Sequence, residues 1–184
     1  ARILENGVAE VMGWTSLPCG VVTLMELHGK KEFAPKEYET LIAGVVETLR
    51  PFDQQFGISK HIARGDVQMV GTAGTVTTVA GVDMSLPRYN RSRVDGYWLG
   101  FDAVERVSRC LSGQSYEERA AHPCIGYNRA DLVVAGCAVL EAVCRIWPAG
   151  QLRVADRGVR EGILSVMSGQ PKAICDGATA FAVE

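Results

Sequence analysis

Residues 66–82 read DVQMVGTAGTVTTVAGV. A short apolar run enters two closely spaced glycines and leaves through small and β-branched residues. The pattern predicts a strand over Val67–Val70, a tight turn through Gly71-Thr72-Ala73-Gly74, and a helix from about Thr75 to Val82. Residues 151–167, QLRVADRGVREGILSVM, repeat the order: a strand, a turn at Gly158, and a last helix whose buried side carries Val159, Ile163, Val166 and Met167. Strands that alternate with helices confine the chain to an α/β layer fold with part of its sheet parallel.

The turn also has chemistry. Glycines open backbone angles closed to other residues and remove Cβ atoms that would hold a ligand away from the main chain. A helix starting near Thr75 leaves its first N–H groups unpaired and points the positive end of its dipole at the turn. A phosphate is well matched to that arrangement. Backbone amides over Gly71, Thr72, Ala73, Gly74 and Thr75 are therefore the candidate phosphate contacts, with hydroxyl donors from Thr72 and Thr75. No Gly-Lys-Ser/Thr ends the loop, so it is not a Walker A loop. The dinucleotide glycine spacing is absent too. A glycine-rich corner of this kind also serves plain packing.

Elsewhere, Asn6-Gly7 predicts a type I′ hairpin whose second arm runs from Val8 to Leu17, adding an antiparallel portion to a mixed sheet. A short helix follows Gly20 and ends at Gly29. Pro35 opens an amphipathic helix with Tyr38, Leu41, Ile42, Val45, Val46 and Leu49 on one stripe, ending near Pro51. Pro87–Asp95 reads as a basic loop, and a helix follows over about Phe101–Leu111. Ser115 and Glu118 have capping-box spacing. Leu132, Gly136, Leu140, Val143 and Trp147 share a face of a largely buried helix, with Asp131 in its first turn and Gly136 admitting a close neighbour.

Bulk properties narrow the function. The chain has 184 residues, enough for one domain, and a formal charge of −2, which argues against a broad nucleic-acid surface. Six cysteines without a C-x-x-C pair read as buried reduced thiols of a cytoplasmic protein. The three histidines are too scattered for a local metal motif. The first seven residues lack an apolar leader core, and the apolar run Leu132–Leu140 is stopped by Glu141, too short to span a membrane. Among basic residues, Arg91 and Arg93 in the loop and Arg157 after the last strand are candidate polyanion contacts, with solvated surface charge as the alternative. Trp14, Trp98 and Trp147 read as core.

Four blocks, SLPCGVVTL (Ser16–Leu24), GTAGTVTTVAG (Gly71–Gly81), RADLVVAGCAVLEAV (Arg129–Val143) and VADRGVREGIL (Val154–Leu164), occur in an order and spacing that resembles the exopolyphosphatase / guanosine pentaphosphate phosphohydrolase family. The resemblance implies the second, C-terminal lobe of an actin-like ATPase superfamily fold: a ribonuclease-H-like mixed sheet flanked by helices. Residues 1–170 would form that lobe and 171–184 an irregular tail. It also implies release of terminal phosphate from polyphosphate or guanosine pentaphosphate, with a divalent cation, Mg or Mn, in the complete enzyme. The family's first-lobe Asp-x-Gly loop and catalytic Glu are absent, as is the Asp-Ile-Gly-Gly-Gly-Ser loop that opens its second lobe; Thr23 stands where the family often has Arg. The expectation is therefore a fragment without catalytic or metal residues, inactive alone, lacking its first strand and partnered by an N-terminal lobe or by a second copy in a homodimer. A non-catalytic phosphate or guanosine-polyphosphate sensor is the alternative. A third reading makes the turn a packing corner in a dimerisation lobe.

Overall fold

A computed structural model of the protein describes residues 1–3, 9–29 and 32–168. The expected Asn6-Gly7 turn and the irregular tail at 171–184 lie outside the described residues. β1 (Arg2–Ile3) and β2 (Ala9–Glu10) pair antiparallel as a separate two-stranded ribbon. Two expectations are corrected here: the second arm is a strand only to Glu10, not Leu17, and the ribbon does not join the central sheet. Trp14, expected in the core, is 81% exposed.

α1 (Val21–His28) closes on Gly29, as its sequence predicts. α2 (Pro35–Phe56) opens with proline in its first turn, and Glu37 accepts the Ala34 amide at 2.9 Å. It runs through Pro51, where the sequence suggested an end. Proline forfeits one backbone bond on the exposed side. The two residues after the proline anchor the extra turn: Phe52 meets Trp147 edge-on at 6.3 Å, and Asp53 accepts the Trp147 indole N–H at 2.9 Å. Gly57, at φ 62°, then turns the chain into α3 (Ile58–Ala63), an element the sequence reading did not include. Ser59 donates to Asp53 from both its amide and its hydroxyl, at 2.8 Å each.

Among the described residues the central sheet has three strands, in the order β3 (Met69–Gly71), β5 (Gln151–Val154), β4 (Trp98–Gly100). β3 and β5 are parallel, whereas β4 is antiparallel to β5, with Leu99 opposite Leu152. The sheet is mixed, as expected, but its antiparallel member is β4, which three residues between two glycines concealed. Between β3 and β4 lie α4 (Gly74–Asp83) and α5 (Arg91–Val94), the latter a helical turn within the stretch read as loop.

α6 (Phe101–Ser112) buries Ala103, Val104, Val107 and Leu111. α7 (Tyr116–Ala121) has the predicted capping box, with the Glu118 amide on Ser115 Oγ at 3.2 Å and Glu118 Oε2 on the Ser115 amide at 2.7 Å. α8 (Val133–Ile146) is buried along most of its length and packs against α1, α2, α4 and α6. It starts two residues beyond Asp131, which therefore sits in the preceding turn rather than in the helix. The one acid of the buried run, Glu141, takes the Tyr38 hydroxyl at 2.8 Å and Arg145 at 3.1 Å, so its charge is matched inside the α2–α8 seam.

α9 (Val159–Met167) departs from expectation. Val159, Ile163 and Met167, read as its buried side, are 80%, 53% and 79% exposed, because the helix leaves the sheet past Gly158 and no other described element packs closely on it. Among the described cysteines, Cys124, Cys137 and Cys144 are buried thiols, but Cys19 is half-buried and Cys110 exposed.

Gly136 brings α8 close to α4: a Cβ there would lie 2.2 Å from Thr75 Oγ1 and 3.1 Å from Thr75 Cβ, so rotating the threonine would still leave its Cβ tight. Gly136→Ala is expected to destabilise the fold by about 1–3 kcal/mol, read as a lower thermal midpoint. A second outcome concerns acid. Burial works to raise the Asp53 carboxyl, but the Ser59 amide, Trp147 indole and Ser59 hydroxyl outweigh it and hold the group below its ordinary value. A carboxyl depressed on folding lends stability that is complete above its unfolded pKa of about 3.9 and lost as pH falls through the folded value. Asp53→Asn should flatten the acid side of the midpoint-versus-pH curve.

Candidate functional site

Parallel pairing delivers the carboxyl ends of β3 and β5 to one edge, where Gly71 pairs with Val154 and the Ala155 N–H donates to the Gly71 carbonyl at 2.8 Å. Because β4 runs the other way, its amino end arrives there too, and the Gly96 N–H donates to the Val154 carbonyl at 2.8 Å. Three connections thus meet at that edge: residues 72–73, 89–97 and 155–158. Ligand sites in open α/β sheets form at such edges.

The two glycines of the turn have different duties. A Cβ on Gly71 would lie 2.9 Å from Val76 Cγ1 and 3.2 Å from Leu152 Cδ1, so Gly71 is a packing requirement. A Cβ on Gly74 would meet nothing within 4 Å, so Gly74 faces open space. Ala73 is the N-cap, extended at φ −81° and ψ 156°, and supplies no side-chain acceptor. The backbone N–H groups of Ala73, Gly74, Thr75 and Val76 have no protein acceptor among the described residues. Thr72, Ala73 and Gly74 are exposed to solvent. The arrangement offers uncapped amides at the positive end of a ten-residue helix to an anion approaching from outside.

Thr75 contributes differently from the sequence reading. Its hydroxyl lies over Gly136, in the α4–α8 seam, so only its amide remains for the turn. Thr72 keeps an exposed side chain. The Thr77 hydroxyl donates to the Gly74 carbonyl at 3.0 Å and closes the first helical turn.

Of the three candidate arginines, two are gathered at the edge and already paired. Arg91 Nε lies 3.4 Å from Asp156 Oδ2, with its guanidinium also donating to the Asp156 carbonyl. Arg157 lies 3.6 Å from Asp95 Oδ2. Arg93 is exposed and has no partner among the described residues. The sequence reading missed Tyr89, whose hydroxyl donates to Asp156 Oδ2 at 2.8 Å. Burial, then the Asp156 hydrogen bond, push its phenol above the ordinary value, with the neighbouring Thr77 hydroxyl acting the other way. It also missed Arg129, whose Nη1 lies 3.4 Å from Thr78 Oγ1 on α4. The signals were faint: one aromatic in a basic loop, and the first residue of the block that leads into α8.

Among the described residues, no three His, Cys, Asp or Glu side chains converge as ligands, so the set does not fit a divalent cation by itself. An apolar groove of about 740 Å³ between α1 and α2, lined by Leu24, Phe33 and Leu41, lies away from the turn. So does a polar cavity of about 830 Å³ lined by Tyr38, Glu141 and Arg145.

Fold and turn together define the class: a mixed α/β lobe with a strand–glycine–helix corner at its sheet edge. The chain belongs to the Ppx/GppA phosphatase family, whose model matches residues 4–170. Solved structures agree in fold. The Aquifex aeolicus PPX-GPPA enzyme superposes with a TM-score of 0.74 at 23% identity, over 85% of this chain and 50% of that one. An exopolyphosphatase from Cytophaga hutchinsonii gives 0.72 at 20% identity, over 87% and 51%. An exopolyphosphatase-like protein gives 0.70 at 24% identity, over 85% and 50%. The chain therefore spans about half the length of the solved structures it matches. Comparison with curated proteins finds no match.

The division of labour between the glycines can be measured. Gly71→Ala should lower stability by about 1–3 kcal/mol through overpacking. Gly74→Ala should raise it by about 0.5 kcal/mol by restricting the unfolded chain. Chemical denaturation of both variants checks the contrast.

Proposed function

We propose that this chain is the second lobe of an exopolyphosphatase-like phosphohydrolase that releases terminal phosphate from inorganic polyphosphate or guanosine pentaphosphate. The observation that carries the reading is the row of unpaired amides from Ala73 to Val76 at the carboxyl edge of the sheet, in a chain of the Ppx/GppA family. Gly71, Thr72, Ala73, Gly74 and Thr75 supply backbone contacts to a phosphate group at the cleft between this lobe and an N-terminal one. Arg93, the one of the three candidate arginines without a side-chain partner among the described residues, draws the polyanion toward the edge.

Phosphoryl transfer to water depends on positioning and charge neutralisation. In the complete enzyme a divalent cation, Mg or Mn, would add charge neutralisation at the transferring phosphate. Two carboxylates at this edge, Asp95 and Asp156, are engaged by Arg157, Tyr89, Arg91 and the Asp156 amide. That engagement supports a lobe that binds phosphate while the groups that aim the attacking water come from the partner lobe. The same observation favours a second reading, a phosphate or guanosine-polyphosphate sensor, for the chain acting alone. No helix among the described residues is long and apolar enough to cross a membrane; we place the protein in the cytoplasm.

Titration of tripolyphosphate into the 184-residue chain should shift the amide resonances of residues 71–75. Gly74→Val puts a side chain on the side where a Cβ meets nothing within 4 Å and should weaken that response about tenfold, a loss of about 1.4 kcal/mol. Identical responses in both proteins would remove the turn from ligand binding.

A further inference from the structure

We infer that Asp95 is a positioning residue for the glycine turn, acting through the segment that follows β5. The inference rests on the reading of that turn as the phosphate contact. Asp95 sits just past α5, its own amide held by the Arg91 carbonyl at 2.8 Å. Its Oδ1 accepts the Asp156 N–H at 2.9 Å, and its Oδ2 faces Arg157 at 3.6 Å. The residue before, Ala155, uses its own N–H to hold the Gly71 carbonyl at 2.8 Å. One carboxylate therefore sets the path of Ala155-Asp156, and that path sets the carbonyl from which the turn departs.

The far end of the turn is tied to the same network. Gly74's carbonyl takes the Thr77 hydroxyl, the Tyr89 ring lies along the same helix beside Gly81, and Tyr89 donates to the Asp156 carboxylate. The ion pairs cross over: Arg91 and Asp95 belong to one segment, Asp156 and Arg157 to the other, and each arginine meets the opposite segment's acid. Amides aimed at a phosphate lose their worth with small misplacement, so a clamp on both ends of a four-residue turn bears on affinity. The hydrogen bond to the Asp156 amide is the operative contact, and the Arg157 pair, partly exposed, adds little.

The test uses the full chain with Asp95→Ala, Asp95→Asn and Tyr89→Phe. Asparagine keeps an acceptor for the Asp156 amide and loses the charge. Without ligand, Asp95→Ala should move the amide resonances of Thr72, Ala73 and Gly74, whereas Asp95→Asn should leave them near their wild-type positions. Tyr89→Phe, which keeps the ring and removes the donor, should move Gly74 and Thr75. With tripolyphosphate, Asp95→Ala should bind about tenfold more weakly and Asp95→Asn within about threefold of wild type. Unmoved turn resonances in Asp95→Ala, or equal loss in the alanine and asparagine variants, would overturn the positioning role. A wild-type chain whose turn ignores tripolyphosphate would instead overturn the phosphate reading, and the ligand-free spectra would still decide the role of Asp95.

Discussion

The contact between Thr75 and Gly136 is the constraint on which the site depends. α8 is the buried axis of the domain, touching four other helices, and α4 must lie almost backbone to backbone against it. Only a residue without Cβ on α8 permits that approach. The Thr75 side chain fills the space and, in doing so, fixes the first turn of α4 against the buried helix α8. The loose end of a helix thereby becomes a fixed one, and its unpaired amides acquire a direction.

Around those amides the charges are arranged in restraint of one another. Two of the three arginines that the sequence offers to a passing anion are held by Asp95 and Asp156, and Tyr89 completes the ring. The result is a rigid edge in which free positive potential comes from the helix start and from Arg93, while the paired groups keep three connections in register. A polyanion meets a shaped backbone more than a cloud of mobile side chains. Opposite this order stands α9, whose apolar residues point to solvent.

Much of the fold was legible because it follows from local periodicity. The stripe from Tyr38 to Leu49, the cap at Ser115 and the strand–glycine–helix run at 67–82 each state their structure within a dozen residues. The failures share another cause. β4 has three residues and exists through its pairing with β5, so nothing in its own sequence announces it. Pro51 stays helical because Phe52 and Asp53 find Trp147, nearly a hundred residues away. The last helix was read as half-buried because its apolar spacing is correct, yet spacing cannot say whether a surface exists to receive it.

By itself, then, the sequence determined the longer helices, the glycine turn, its unpaired amides and the family to which the motifs point, since all of these are set by neighbours within a few residues. Tertiary structure alone decided that Thr75 turns inward to α8, that Gly71 is packed while Gly74 is open, and that Asp95 and Asp156 take the arginines first. Those outcomes depend on pairing across the sheet and on contacts between segments distant along the chain. Local pattern carries no information about such distances; packing density and the pairing of buried charge do.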